Sequence, residues 1–451
     1  MRMQRLTGGR DTLYILVVMR APLCYNIACR KDGILMENEN LTGSSVGKRD
    51  YILFTIAVFI SFAIFGFADN MKGTAFPRIQ TEFILTELHL GLLLAVSSTG
   101  YLAMCSLTAA LAKKIGIKTC HILGLIVVAA SGVMICFSPN FAALVLGFFI
   151  LNVGFGMLEI AVGVIAAKIF TRNTGTMMNI AHFFYGAGAT LSPIISTSLM
   201  AARFGDTIFS WRYAYLIVLS FALVPAIPVL IGRLMKQGQD KDNQSYSLIL
   251  KKPALWLLVA ILALVLVCEI GIASWFVIFL ETAYSYSGES AALRLTLYFL
   301  AFTIGRLVLG PVIDRIGFIN SLIIVTVFAG AMVTIGVLLG QSGVPIIVLA
   351  GAAVAPVFPT VMAVIAKLFS DHIEHAMTAI MTTIGIIIIP ANFMVGWIIN
   401  QTRLVFTDIY GESGIIMAYS AGFLFFGLCC FGAFAAAMAL RARQKRAGRL
   451  V

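Results

Sequence analysis

Residues 152–193 read NVGFGMLEIAVGVIAAKIFTRNTGTMMNIAHFFYGAGATLSP, two long apolar runs joined by a short polar turn. This pattern predicts two antiparallel, neighbouring transmembrane helices. Glu159 lies in the first run, nine residues before Lys168, and His182 lies in the second, eight residues after Thr174. At about 1.5 Å per helical residue, both side chains are expected roughly 12–14 Å from the same membrane surface. They could therefore meet at one depth.

These two polar side chains are candidates for function. A carboxylate at that depth costs at least about 2.5–3.5 kcal/mol, so an acid inside the membrane usually faces a cavity, a partner or an ion path. The alternative for Glu159 is a protonated, hydrogen-bonded acid that only fixes helix packing. The alternative for His182 is an interior histidine whose hydrogen bonds are satisfied, although its side chain is the one that titrates near neutral pH.

The composition places the whole chain in a membrane. Of its 451 residues, 60% are hydrophobic and 12% are charged, and the mean hydropathy is +0.98. A soluble domain carries about 25% charged residues, so we predict a polytopic membrane protein in contact with the lipid bilayer. The net charge of +12 comes from Lys and Arg in short segments between apolar runs, as the positive-inside rule expects. No nucleic-acid partner is predicted.

Neither a disulfide framework nor a metal site is predicted. The eight cysteines include no C-x-x-C pair and lie mostly within apolar runs, where cysteine behaves as a small hydrophobe. His372 and His375 have the i, i+3 spacing of a metal-binding pair, but no third ligand accompanies them. A solvated loop is the preferred interpretation.

Hydropathy predicts an all-α membrane protein with twelve spans of roughly 20–28 residues each. The widest polar segment between the spans leaves six predicted spans on each side of it. The predicted domains are an N-terminal cytoplasmic, disordered segment (1–50), a first six-helix bundle (51–232), a cytoplasmic linker (233–253), a second six-helix bundle (254–440) and a basic cytoplasmic tail (441–451). The spans are predicted near 51–77, 88–111, 119–137, 141–168, 177–201, 213–232, 254–280, 291–313, 319–340, 344–368, 377–401 and 414–440.

The basic residues also predict the orientation. The turn at 113–118, the turn after Lys168, the central linker and the tail RARQKRAGRLV all fall on one side of the predicted spans. The positive-inside rule makes that side cytoplasmic, so we predict a multi-pass protein of the cell membrane with both termini inside. Residues 1–35 are interpreted as a misassigned start or a disordered tail.

The chain contains an internal repeat. KKIGIK at 113–118 matches DRIGFI at 314–319, at an offset of 201, and an offset of 200 aligns Asp69 in the first span with Glu269 in the seventh. Parallel six-helix halves with binding groups near the midplane are typical of alternating-access transporters. Three acids inside the membrane, Asp69, Glu159 and Glu269, suggest proton coupling.

The segment GPVIDRIG at 310–317, preceded by Arg306, resembles a loop motif of the major facilitator superfamily between the second and third helices of each half. The resemblance implies that Asp314 helps to close the cytoplasmic side, with Arg306 and Arg315 as further gate residues. Arg306 could balance Asp314, and a purely structural ion pair is the alternative. The first half has Lys113 in place of the acid, so the resemblance implies no gate role for Lys113.

Within that superfamily, the chain most resembles the fucose-galactose-proton symporter family, especially its glucose/mannose:proton symporter branch. The resemblance is carried by GFGMLEIAVG, HFFYGAGATLSP, VCEIGIASWF and the run from APVFPT to GWIINQ. It implies that the acids Asp69 and Glu159 bind proton and sugar, and that Asn179 and His182 of the fifth helix help to hold sugar. Glu269 falls where the close branch also has a glutamate.

A sugar site needs hydrogen-bonding side chains around an aromatic platform, because a sugar has a polar rim and an apolar face. Trp275 could provide the platform, although an interfacial anchor is the alternative; Trp211 and Trp397 are interpreted as interfacial belt residues. The predicted proton-coupling residues are Asp69, Glu159, Glu269 and His182. The predicted substrate-binding residues are Asn152, Glu159, Asn179, His182, Tyr185, Glu269, Trp275 and Asn392, with Gln80 as a further candidate.

These patterns predict a monomeric secondary transporter that imports a small polar solute, a monosaccharide, together with protons, without another cofactor and without metal. A proton-driven exporter of drugs or metabolites is one alternative, and a large aromatic-lined cavity with a single acid would favour it. A non-transporting membrane sensor is a second alternative. An enzyme is not expected, because the spans contain no H-E-x-x-H, no G-x-S-x-G and no nucleotide-binding loop.

Overall fold

The computed structural model describes residues 47–170, 174–204, 207–233, 250–369, 373–446 and 448. The predicted N-terminal segment up to residue 46 and most of the predicted linker lie outside these residues. The described part is built almost entirely from helices, with one antiparallel ribbon of two short strands, β1 (Arg203–Phe204) and β2 (Thr207–Ile208). It forms one compact unit.

The first half of the chain contains α1 to α7. Because α6 and α7 are joined by a short 3-10 turn (Phe221–Leu223), they form one span, Trp211–Ile231. The helices are α1 (Lys48–Phe83), α2 (Glu87–Ile115), α3 (Ile117–Cys136), α4 (Phe141–Ile169), α5 (Thr174–Ala201), α6 (Trp211–Ser220) and α7 (Ala226–Ile231).

The second half contains α8 to α14. Here α11 and α12 together form one span, which is interrupted at Ala355 and Pro356. The helices are α8 (Pro253–Tyr284), α9 (Gly288–Ile316), α10 (Phe318–Leu338), α11 (Val344–Val354), α12 (Val357–Leu368), α13 (Ile373–Tyr410) and α14 (Glu412–Arg446).

Among the described residues, eleven spans are long and apolar enough to cross a membrane. The helix missing from that set is α5, which has sufficient length at 28 residues but carries many glycine, serine and threonine residues in place of large apolar ones. It completes twelve transmembrane helices in two six-helix bundles, which confirms the predicted fold class. We call the membrane face where α1 begins and α14 ends the terminal face, and the opposite one the distal face.

The repeat is visible in the backbone. A single glycine connects α2 to α3 and, in the second half, α9 to α10: Gly116 has φ 86° and ψ 147°, and Gly317 has φ 89° and ψ 145°. Side chains with a Cβ rarely adopt such positive φ values, so glycine is the residue that permits this abrupt connection. The same turn at an offset of 201 shows that KKIGIK and DRIGFI are structural equivalents.

The prediction that α4 and α5 are packed neighbours is wrong. The helix α4 packs mainly on α2 and α3, whereas α5 packs mainly on α1 and on α9 of the other half. Close approach of α1 and α5 explains this: a Cβ added at Gly66 would lie 2.1 Å from the carbonyl oxygen of Tyr185, and one at Gly188 would lie 2.1 Å from that of Ala63. Two glycine contacts therefore hold α5 against α1.

The two halves meet along three helix pairs, α2 with α13, α5 with α9 and α1 with α8. The α2–α13 contact lies near the distal face, where Gly91 and Gly396 face each other. A Cβ at Gly396 would lie 2.5 Å from the carbonyl oxygen of Glu87 and 2.8 Å from the Cα of Gly91. The backbones of the two halves are thus in direct contact on that side.

Candidate functional site

The three predicted intramembrane acids come from three different helices and face one another. Asp69 of α1 interacts electrostatically with Glu159 of α4 and with Glu269 of α8. The latter two side chains lie deep inside the protein yet keep part of their accessible surface, and the Asp69 side chain is 28% exposed. All three acids are thus deep in the protein and still partly accessible.

Tyr185 of α5 lies at the centre of this cluster. Its hydroxyl donates to Asp69 Oδ2 at 3.4 Å, and it interacts electrostatically with Glu159 and Glu269 as well. The ring packs edge-on against Phe65 of α1, with 5.4 Å between centroids. The cluster thus combines a phenol and an aromatic face with three carboxyl groups, which is the chemistry predicted for a sugar site.

Asp69 has a basic partner that the sequence analysis did not single out. Lys72, one helical turn further along α1, donates from Nζ to Asp69 Oδ1 at 2.5 Å. Residues at i and i+3 lie on the same helix face, which allows this pair to form. The negative charge of Asp69 is therefore balanced by the Lys72 ammonium group in contact with it.

Arg306 of α9 provides the second cation of the interior. Its guanidinium lies 4.3 Å from the centroid of the Phe302 ring, and its Nε donates to the carbonyl oxygen of Ala355 at 3.2 Å. That carbonyl is free because the residue four positions later is Pro359, which has no N–H to donate. Arg306 also interacts electrostatically with Glu269, so the second acid has a cation nearby.

Glu159 differs from the other two acids. Among the described residues it takes part in no ion pair, and its charged neighbour is Asp69. Tyr101 and Cys105 of α2 lie beside it and interact with it electrostatically. Glu159 is thus the acid of the cluster whose charge no described cation offsets.

His182 lies on the α9 side of the cluster. Its ring packs against Phe62, with 5.1 Å between centroids, and its charged neighbour is Arg306. Glu159 and His182 accordingly have different electrostatic partners, because α1 lies between α4 and α5. The side chain of Asn179 is outside the described part of the structure.

Several predicted binding side chains are used elsewhere. Asn392 is 8% exposed and donates to Ser98 Oγ at 2.9 Å, which links α13 to α2. Asn152 donates to the carbonyl oxygen of Phe148 within its own helix at 2.9 Å. Trp275 is 1% exposed within the apolar core. The structure groups Tyr185 with the acids, places His182 beside Arg306, and places Asn392 at a contact between the halves.

The predicted cytoplasmic gate residues are dispersed in this structure. Asp314 and Arg315 are exposed at the end of α9, whereas Arg306 bonds to Ala355 inside the protein. None of the ion pairs among the described residues joins Arg306 to Asp314. The two lie two helical turns apart, so Arg306 would have to leave its carbonyl partner to reach the acid.

The distal face holds the ion pairs that join the halves. Arg78 of α1 donates from Nη1 to Glu281 Oε1 of α8 at 2.7 Å. Glu87 of α2, 1% exposed, accepts from Arg403 Nη1 of α13 and, at 3.0 Å, from the Tyr419 hydroxyl of α14. Among the described residues, no ion pair joins the halves at the terminal face. In the described part of the structure, the ion pairs between the halves thus lie at the distal face.

Trp211 also belongs to this face, and its assignment to an interfacial belt is wrong. Its side chain is 4% exposed and its Nε1 donates to Glu82 Oε2 at 2.5 Å. Arg212 binds the other carboxylate oxygen of Glu82 through Nε and Nη2, at 2.9 and 2.7 Å. Together the two residues fix the distal ends of α1 and α6, which buries the indole.

The sequence model of the Major Facilitator Superfamily matches residues 58–392, about three quarters of the chain. The match spans the helices that supply the three acids, Tyr185 and Arg306. The chain belongs to the Major Facilitator Superfamily. Its members are transporters rather than enzymes.

Sequence and structure comparisons identify individual superfamily relatives. The L-fucose-proton symporter of Escherichia coli (strain K12) is 23% identical over 223 residues, which is 44% of this chain and 50% of that protein. The alignment thus spans about half the length of that relative. A bacterial homologue of the human lysosomal transporter Spinster, inward-facing and unoccupied, has a TM-score of 0.72 at 12% identity and covers 87% of this chain and 98% of its own. The transporter FucP in the outward conformation has a TM-score of 0.59 at 19% identity, with 87% and 99% covered.

Proposed function

We propose that this superfamily member imports a monosaccharide, or a similar small polar solute, together with protons. The observation that carries the proposal is the convergence of Asp69, Glu159 and Glu269 around Tyr185, between the two halves. Hydroxyl, phenol and carboxyl groups around an aromatic face can hold the polar rim and the apolar face of a sugar. The names of the relatives, a fucose symporter among them, support the same solute class.

The acids supply the proposed coupling. An ionised carboxylate is costly to enclose when both faces of the protein close, because few groups then replace its lost hydration. A proton on that carboxylate removes the cost. The protein therefore moves between its outward-open and inward-open conformations most easily when proton and solute are both bound. Glu159 is the proposed carrier, since a described cation interacts with each of the other two acids. His182 and Asn179 remain proposed solute or proton ligands.

In this proposal the terminal face is cytoplasmic, as the basic residues predict, and both termini lie inside the cell. The distal contacts through Glu281 and Glu87 would then hold the outer side closed while solute leaves to the cytoplasm. No cofactor besides the proton is proposed, and the protein is proposed to act as a monomer. The sequence predicts a solvated loop at His372 and His375; residue 372 lies outside the described part of the structure, and residue 375 lies in the first turn of α13.

Uptake of a panel of radiolabelled monosaccharides into proteoliposomes tests the proposal. An inward proton gradient should drive accumulation of at least one sugar, and collapse of the gradient with a protonophore should abolish it. Empty liposomes control for leak. Uptake of the transported sugar that ignores the imposed pH gradient would contradict coupling, and export of apolar compounds without sugar uptake would favour the drug or metabolite exporter.

A further inference from the structure

Lys72 is a cation inside a membrane-spanning helix, and the proposed function does not yet use it. A lysine at that depth is costly to keep away from water, so such residues usually serve a partner or a pathway. Its side chain is only 15% exposed, and Nζ lies 2.5 Å from Asp69 Oδ1. This contact ties the amine to one of the three acids.

The groups around this pair determine its charge balance. The ionisable side chains that interact electrostatically with Asp69 come from four helices that pack on α1, and Arg306 belongs to α9, which packs on α5. These groups are Glu159 of α4, Tyr185 of α5, Tyr215 of α6 and Glu269 of α8. Tyr101 and Cys105 of α2 lie beside Glu159, and His182 of α5 neighbours Arg306.

Counting formal charges gives a simple result. Three acids face two cations: Lys72 contacts Asp69, and Arg306 interacts with Glu269. The remaining acid is Glu159, whose charged neighbour is itself an acid. With the tyrosines and His182 uncharged, the cluster has a net charge of −1, which one proton would neutralise.

We propose that Lys72 is a positioning residue for coupling: it pairs with Asp69 and holds it in place, so that the site takes up a single proton, on Glu159, with each solute molecule. The assignment rests on the proposed proton-coupled import. Without Lys72, two of the three acids lack a cation, and the site needs two protons before it becomes neutral. Lys72 thus sets how many protons the site requires.

The pH dependence of uptake distinguishes this role from a structural one. At pH values where protonation limits uptake, the logarithm of the initial rate should fall with a slope of about −1 per pH unit in the wild type, since one proton is a tenfold factor per unit. In Lys72→Met the slope should become about −2, because two protons are then needed to neutralise the site. Lys72→Arg, which keeps the charge, should retain the wild-type slope.

Lys113→Met is the matched control, because Lys113 is exposed at the terminal face; it should leave the profile unchanged. A Lys72→Met profile with the wild-type slope overturns the assignment. If that variant does not fold, the proton-to-solute ratio of the wild type decides, measured from the solute gradient that a known proton gradient sustains. We expect one proton per solute molecule. Two protons per solute would overturn the role of Lys72 but leave proton coupling intact, and no proton per solute would refute proton coupling itself.

Discussion

Glu159→Gln is expected to abolish solute accumulation driven by a proton gradient. The amide has nearly the shape of a protonated carboxyl group but cannot release or take up a proton. Because no described cation offsets Glu159, this is the group whose protonation neutralises the cluster around Tyr185. The variant should therefore still exchange solute across the membrane, while losing the link between solute and proton movement.

The expected size of the effect follows from the driving force. One pH unit corresponds to about 1.36 kcal/mol per proton, or roughly tenfold accumulation when one proton accompanies each solute. Under a gradient of about one unit, the wild type should approach that value in proteoliposomes. The Glu159→Gln variant should stop at equal concentrations, yet retain exchange of labelled for unlabelled solute. Glu412→Gln makes the same chemical change at an exposed acid and should behave as the wild type. Concentrative uptake by Glu159→Gln would remove Glu159 from the mechanism.

Gly396→Leu is expected to prevent the halves from closing at the distal face. A Cβ at this position would lie within 3 Å of backbone atoms of α2, the carbonyl oxygen of Glu87 and the Cα of Gly91. Backbone atoms cannot rotate away as a side chain can, so the helices must separate. Overpacking of this kind costs about 1–3 kcal/mol, which changes the balance between two conformations by roughly 5–150-fold.

Hydrogen exchange followed by mass spectrometry measures this separation directly. In Gly396→Leu, amides at the distal ends of α2 and α13 should exchange faster than in the wild type, and solute transport should fall by roughly the same 5–150-fold factor. Met394→Leu is the matched control, because Met394 belongs to the same helix and is 45% exposed. Unchanged exchange and transport in Gly396→Leu would show that distal closure is not part of the transport cycle.

The architecture was predictable because hydropathy reports helix length directly. A bilayer requires about 20 apolar residues per span, and each predicted span corresponds to a helix or a helix pair. The errors lie at the helix ends, since α1 continues to Phe83 and α13 continues to Tyr410, beyond their apolar stretches. Those extensions carry Arg78 and Arg403, so hydropathy alone placed these residues outside the spans and missed the contacts between the halves.

The acids of the site were predictable for a different reason. Asp69, Glu159 and Glu269 each stand as an isolated acid in an apolar run, and the cost of burying a charge identifies such residues. Lys72 carries the same signal and was overlooked, although its spacing from Asp69 predicts an ion pair on one helix face. The convergence itself was not predictable from neighbouring positions in the chain, because α1, α4 and α8 come together only through packing between helices distant in sequence.

The packing of α5 shows where reasoning from a short stretch fails. Because a short turn connects α4 to α5, the sequence suggested that Glu159 and His182 lie on helices packed against each other. Glycines at 66 and 188 instead bring α5 against α1. The pattern of small residues on α5 could have indicated a close helix contact. It could not have identified α1 as the partner, since every span offers small residues.

Proton movement during solute entry tests the central claim most directly. Proteoliposomes that contain the wild-type protein would enclose a pH-sensitive dye. The membrane potential would be clamped by potassium and valinomycin, and no pH gradient would be imposed. Addition of the transported monosaccharide should acidify the lumen in proportion to its entry, with one proton for each solute molecule. Entry of the sugar with an unchanged lumen pH would contradict a passage in which carboxyl groups carry protons with the solute.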